Sequence, residues 1–148
     1  EELPKVLSSM VVGPNTLCHG DYRADNLLFN ENNEPVAIDF QLLGTGTGAY
    51  DIAYFVTQSL TPEVASKHEH DLFDQWVTAL ITHGAQADLV DRKALWLHYR
   101  TAALFCLAYP VIASRGMDLS DPRQRTLIEV MTNRFDRAVR ELNLAELL

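Results

Sequence analysis

The apolar pattern of this chain changes its period once, at GTGTG (Gly44–Gly48), and that single change limits the folds open to it. Before it, apolar residues fall in short clusters, TLC, NLLF and PVAIDF, separated by polar stretches. After it, they recur at helical spacing to the end of the chain. The ENNE stretch between the second and third clusters is a turn sequence, because asparagine tolerates the unusual backbone angles of a turn while valine and isoleucine favour strands. The pattern predicts a hairpin of Leu27–Phe29 and Val36–Phe40. GTGTG itself, without an apolar period, reads as a flexible connector.

Four helices are predicted beyond it. AYDIAYFVTQSL carries Tyr50, Ala53 and Tyr54 on one face, with Asp51 in the first turn, where a carboxylate suits the exposed amides and the helix dipole. Thr61 and Pro62 read as an N-cap and a first-turn proline, opening a helix through Ile81 that stops near Gly84, with Val64, Leu72, Trp76 and Leu80 as its apolar stripe. A third helical stretch, Asp88 to about Ser114, is apolar around Leu95, Leu97, Tyr99, Ala102, Phe105 and Cys106, and Pro110 is expected to kink it. The last follows Asp121 and Pro122 to about Leu142. The expected class is α+β, mainly α: a small hairpin region packed on a helical bundle, in one domain spanning residues 1–148.

Charge and composition exclude several functions. Twenty acidic against twelve basic residues give a formal charge of -8, which disfavours nucleic acid as a partner, since that binding rests on clustered lysine and arginine. No apolar run approaches the roughly 20 residues needed to span a bilayer. Cys18 and Cys106 stand far apart in apolar contexts, with no CxxC pairing, and read as reduced buried thiols; a cytoplasmic location is the matching expectation.

The chemistry concentrates in HGDYRADNLLF, His19 to Phe29. Phosphoryl transfer from a nucleotide needs a carboxylate to orient the acceptor hydroxyl and take its proton, and oxygen ligands to hold Mg²⁺ against the phosphates. Asp21, Asn26 and Asp39 offer that set. Asp21 and Asn26 lie five residues apart on one loop anchored by the strand that follows, and Asp39 returns beside Asn26 on the partner strand. A carboxylate and an amide suit Mg²⁺, a hard ion, rather than zinc. Arg23 is within reach of a phosphate oxygen and equally of a surface salt bridge, and the residues alone leave both open.

HGDYRADN followed by VAIDFQ resembles the signature of the aminoglycoside phosphotransferase and choline kinase-like family, whose fold is similar to that of protein kinases with their H-R-D-x-x-x-x-N loop and D-F-G motif. The IDFQ wording and AYDIAYF resemble its ecdysteroid kinase-like branch. The resemblance implies an ATP-dependent small-molecule kinase, with GTP as the alternative donor and an alcohol as acceptor. It implies Asp21 as the catalytic base, Asn26 and Asp39 as Mg²⁺ ligands, His19 as a brace of the loop, and Asp51 as an anchor of the loop backbone.

Kinases of this kind also carry an earlier lobe over the nucleotide, with a lysine on its phosphates. Eighteen residues precede His19, and Lys5 is the one lysine among them, so the expectation is a C-terminal lobe that is inactive alone. The rival reading is a non-catalytic kinase-like binding module; a phosphohydrolase is disfavoured because two-metal hydrolases need more converging carboxylates and histidines. HEH (His68–His70) lacks the H-E-x-x-H spacing and reads as a solvated helix face. Trp76, Trp96, Tyr99, Phe105 and Tyr109 read as core aromatics.

Overall fold

The computed structural model describes residue 8, residues 15–86 and residues 90–148. It opens with two antiparallel ribbons. In the first, strand β1 (Thr16–Cys18) pairs with β4 (Gly44–Gly46), Cys18 opposite Gly44 and Thr16 opposite Gly46. In the second, β2 (Leu27–Phe29) pairs with β3 (Pro35–Ala37), Leu27 opposite Ala37. The GTGTG segment is therefore not a free connector. Its pairing partner lies far back in the chain and glycine is a poor strand former, so nothing local announces the strand. Close approach explains the last glycine: a Cβ on Gly48 would stand 2.9 Å from Thr16 Cγ2 and 3.3 Å from the Trp76 ring.

The hairpin forms where expected but is shorter. Asn30 closes its turn, its Oδ1 accepting from the amides of Asn32 at 3.0 Å and Glu34 at 2.9 Å. The second strand ends at Ala37 rather than Phe40, because Asp39 adopts the left-handed conformation (φ 64°, ψ 60°) and Phe40–Leu42 turns into a single 3-10 turn.

Helix α1 (Ala49–Ser59) is the buried helix that the sequence predicts, with Ala49, Ala53 and Val56 inside. Helix α2 (Pro62–Thr82) starts at Thr61, whose side chain accepts from Val64 N, and ends before Gly84 at φ +95°. Its innermost stripe is Ala65, Glu69, Phe73 and Val77; Leu72, Trp76 and Leu80 are half-buried beside it, and Val64 is exposed. The expected stripe thus points one residue away from the true one, because an acidic residue occupies the inward position at 69.

The start expected at Asp88 lies outside the described residues. Helix α3 (Arg92–Phe105) begins behind Asp91, whose carboxylate caps the amides of Lys93 and Ala94. It buries Leu95, Tyr99, Ala102 and Ala103, while Leu97 is exposed. The kink expected at Pro110 appears one turn earlier, as a break at Cys106 and Leu107 before α4 (Ala108–Ser114). A proline lacks the N–H that would bond the carbonyl four residues back and clashes with that carbonyl, here Cys106. Helix α5 (Pro122–Glu141) follows its Asp121 cap as expected, and a 3-10 turn, Leu144–Leu147, closes the chain.

The core lies between α1, α2, α3 and α5. Alanines at 49, 53, 102, 103 and 138 bring the helices close, and Phe73 and Tyr99 fill the space between them. Burying a side chain such as Phe73 contributes about 2 kcal/mol. At the centre Arg137 meets Glu69, NH1 to Oε2 at 2.6 Å and NH2 to Oε1 at 3.3 Å, and the Tyr99 hydroxyl donates to Glu69 Oε1 at 2.6 Å. His68 and His70 face outward, but the glutamate between them is buried, so the HEH stretch is only in part the solvated face expected of it. Among the described residues no helix is long and apolar enough to cross a membrane. The opening EELPKVLSSM lies outside the described residues except for Ser8.

Candidate active site

The loop between β1 and β2 is held from below by helix α1. Asp51, in its first turn, accepts from the backbone amides of His19 (2.7 Å to Oδ2) and Gly20 (3.0 Å to Oδ1). Charge-assisted bonds to backbone amides are the strong kind, so Asp51 fixes the loop as well as suiting the helix dipole. Gly20 is required at its position twice over: its φ is +85°, and a Cβ would stand 2.4 Å from the carbonyl oxygen of Leu42. Two further contacts come from α1. The Tyr50 hydroxyl donates to Gly20 O at 3.3 Å, and Ser59 Oγ accepts from Ala24 N at 2.9 Å.

His19 braces the loop from within. Its Nδ1 accepts from the amide of Asp21 at 3.3 Å, which leaves the proton on Nε2 to be donated to Ile38 O at 2.8 Å. The ring packs against Phe40, 4.7 Å between centroids. With both nitrogens committed, His19 is not free to bind a metal.

Asp21 and Asn26 converge directly. Asn26 Nδ2 donates to Asp21 Oδ2 at 2.9 Å and to Asp21 O at 2.8 Å, so the amide is fastened to the carboxylate and Asn26 Oδ1 is its one remaining polar atom. Arg23 lies on the same carboxylate, Nε to Oδ1 at 3.4 Å, with Asp25 3.8 Å from its NH1. Of the two partners open to Arg23, the structure therefore displays the ion pair. Asp21 retains 14% side-chain exposure, enough to meet a ligand.

Asp39 follows Ile38, whose amide donates to Asn26 O at 2.9 Å, so the backbone brings it next to Asn26. It is exposed, and its Oδ2 accepts from Gln41 Nε2 at 3.5 Å. Among the described residues no group of three or more histidine, cysteine or carboxylate side chains gathers in a way that would hold a metal. The donor set of Asn26 and Asp39 is thus all oxygen and low in protein ligands, which is the set that fits Mg²⁺ completed by water and phosphate.

A cavity of about 340 Å³ is lined by Arg23, Tyr54, Tyr109, Ile112, Leu127 and Met131 among others, and its Arg23 and Tyr54 both contact Asp21. Tyr54 stacks on Tyr109 with 4.6 Å between centroids, and the Tyr50 and Tyr109 hydroxyls share a hydrogen bond. Burial, and then the Asp21 carboxylate, hold the Tyr54 hydroxyl above its ordinary pKa, so it remains a neutral donor. Sequence reasoning missed this wall and placed Tyr109 in the core. The usable signal was Tyr50 and Tyr54, one turn apart beside Asp51.

The model of the ecdysteroid kinase-like family matches residues 4–88, more than half of the chain. The chain belongs to the ecdysteroid kinase-like family. That makes it a kinase-like phosphotransferase, with the α+β, mainly α fold of that class. The matched residues include both ribbons, the loop, α1 and α2, whereas α3, α4 and α5 lie beyond them. No curated protein and no solved structure matches the chain.

Proposed function

We propose that this protein transfers the γ-phosphoryl group of ATP to the hydroxyl of a small-molecule alcohol, with Asp21 at the point of reaction. The observation that carries the reading is the joint between Asp21 and Asn26, a carboxylate and an amide bonded at 2.9 Å on a loop whose amides are gripped by Asp51. Asp21 orients the acceptor hydroxyl and receives its proton; Asn26 and Arg23 hold the carboxylate so that it does not rotate away. Asn26 Oδ1 and the Asp39 carboxylate are the oxygens that suit Mg²⁺. An ion held there would supply neutralisation of the phosphate oxygens. The rest of the catalysis is positioning, by a loop that Asp51 and His19 have ordered before any ligand arrives.

The test is Asp21→Asn in the natural full-length protein, following transfer from ATP to a panel of alcohols. Turnover is expected to fall by about 10²–10⁴-fold, while Mg·ATP affinity changes little. Turnover close to that of the unmodified protein would overturn the assignment. Binding of Mg·ATP without transfer to any acceptor in the unmodified protein would favour the binding-module reading instead.

A further inference from the structure

The peptide plane between Gly20 and Asp21 is held from both sides. Its N–H donates to His19 Nδ1 at 3.3 Å, and its carbonyl, Gly20 O, accepts from the Tyr50 hydroxyl at 3.3 Å. Glycine restricts its own backbone least of all residues, so these two bonds set the orientation of the plane. A carbonyl can only accept, and the single proton of the Tyr50 hydroxyl is therefore committed to Gly20 O. Tyr109, the other partner of that hydroxyl, must then donate to it. The donors run from Tyr109 on α4, through Tyr50 on α1, into the loop. The Tyr109 ring makes a second connection. It stacks on Tyr54 with 4.6 Å between centroids and meets Phe105 edge-on at 6.4 Å, while the Tyr54 hydroxyl meets the Asp21 carboxylate. A residue that only fills space needs no hydroxyl. Tyr109 uses both ring and hydroxyl, and both routes end on Asp21 or on the peptide before it. It does so from a helix of seven residues that has no side-chain cap at its start and leaves Val111 and Ile112 exposed.

We propose that Tyr109 is a positioning residue for the transfer: through Tyr50 it fixes the Gly20–Asp21 peptide and through Tyr54 the Asp21 side chain, so that the placement of α4 aims the carboxylate. The inference rests on the phosphotransferase reading above, since Asp21 is the group being aimed. Each hydrogen bond in a chain polarises the next, so removing the Tyr109 hydroxyl weakens the hold of Tyr50 on Gly20 O without touching the loop itself. With that hold weakened the glycine plane is free to turn, and the carboxylate one residue on moves with it. A misplacement of about 1 Å at a reacting group costs about 10²-fold in rate. Helix α4 lies beyond the residues matched by the family model, so this support comes from outside the stretch that carries the loop and its anchor.

The experiment uses the natural full-length protein, with Mg·ATP and the alcohol of the panel that accepts phosphate fastest, and follows the Gly20 and Asp21 amide signals by NMR. Tyr109→Phe keeps the stack on Tyr54 and removes the hydroxyl. It is expected to lower kcat about tenfold, to leave the KM for Mg·ATP within about twofold, and to shift the Gly20 and Asp21 signals while those of α2 stay in place. Tyr109→Leu removes the ring as well and should lower kcat by about a further tenfold. Tyr50→Phe should lose at least as much as Tyr109→Phe, and combining the two should cost nothing more, because the Tyr109 hydroxyl then has nothing to act on. Should Tyr109→Leu fail to fold, Tyr109→Phe and Tyr50→Phe carry the test by themselves. Unchanged kcat or unchanged amide signals in Tyr109→Phe, losses that multiply in the double variant, or signal changes spread equally through α2 and α3 would overturn the proposal. Near-normal turnover in Asp21→Asn, or transfer to no alcohol of the panel, overturns the phosphotransferase reading and this proposal with it. An inactive Asp21→Asn beside a fully active Tyr109→Phe overturns the assignment of Tyr109 alone.

Discussion

The ribbons that carry the candidate site and the helices beneath them are stabilised in different ways. The helices bury Phe73, Tyr99 and a set of alanines completely. The hairpin region has strands of three residues and leaves Leu28, Phe29, Val36, Phe40 and Leu42 exposed. A region with so little buried surface of its own cannot hold side chains to tenths of an ångström by packing. Its order is imported. Asp51, Tyr50 and Ser59, all on α1, reach up to the amides of His19, Gly20 and Ala24 and to the carbonyl of Gly20, so the best-packed helix sets the position of the least-packed loop.

The sharpest way to break that contrast is inside the helices. Glu69→Ala leaves the buried Arg137 with only the longer, half-exposed contact to Glu141 at 3.4 Å and is expected to cost about 3 kcal/mol in chemical denaturation, enough to weaken site and bundle together. The double variant Glu69→Met, Arg137→Met should recover much of the loss, because two apolar side chains carry no uncompensated charge. A smaller and more local effect is expected at the tether. Asp51→Ala should cost about 2 kcal/mol and speed hydrogen exchange at His19 and Gly20 far more than in α2 or α3. Uniform acceleration throughout the chain would mean that the loop and the bundle are one cooperative unit.

The smallest effect is that of pH on the two thiols. Burial, and then the Asp51 carboxylate, push Cys18 up to about 11, and burial pushes Cys106 up to about 12. A folded pKa above the unfolded value of about 9 means a contribution that is complete below pH 9 and is lost as pH rises through 11 to 12. The melting temperature should therefore hold steady up to pH 9 as far as the thiols are concerned and fall above it. At pH 8 both thiols should react with a disulfide reagent only after denaturant is added, Cys106 on the helical side more slowly than Cys18 beneath the ribbon.

Much of the site was legible because its chemistry is local. His19, Asp21 and Asn26 sit within eight residues, and their mutual hydrogen bonds span two to five positions. The caps at Thr61 and Asp121 bond to amides two or three residues on, so the starts of α2 and α5 could be placed from composition alone. What could not be read is what joins distant parts. The β1–β4 pairing rests on a glycine-rich strand with no strand propensity. The inward turn of Glu69 depends on Arg137, 68 residues away, and an isolated glutamate on a helix signals solvent. Tyr109 left the core for the cavity wall because of where α4 packs after the break at Cys106.

The sequence by itself thus determined the candidate loop, the starts of α2 and α5 and the class of fold, since each of these follows from hydrogen bonds and apolar periodicity over a few positions. The tertiary structure alone decided which helix grips the loop, where a glutamate becomes a core residue, and which tyrosines stand in the wall beside Asp21. Those depend on contacts between residues tens of positions apart, whose energies no short stretch of sequence contains.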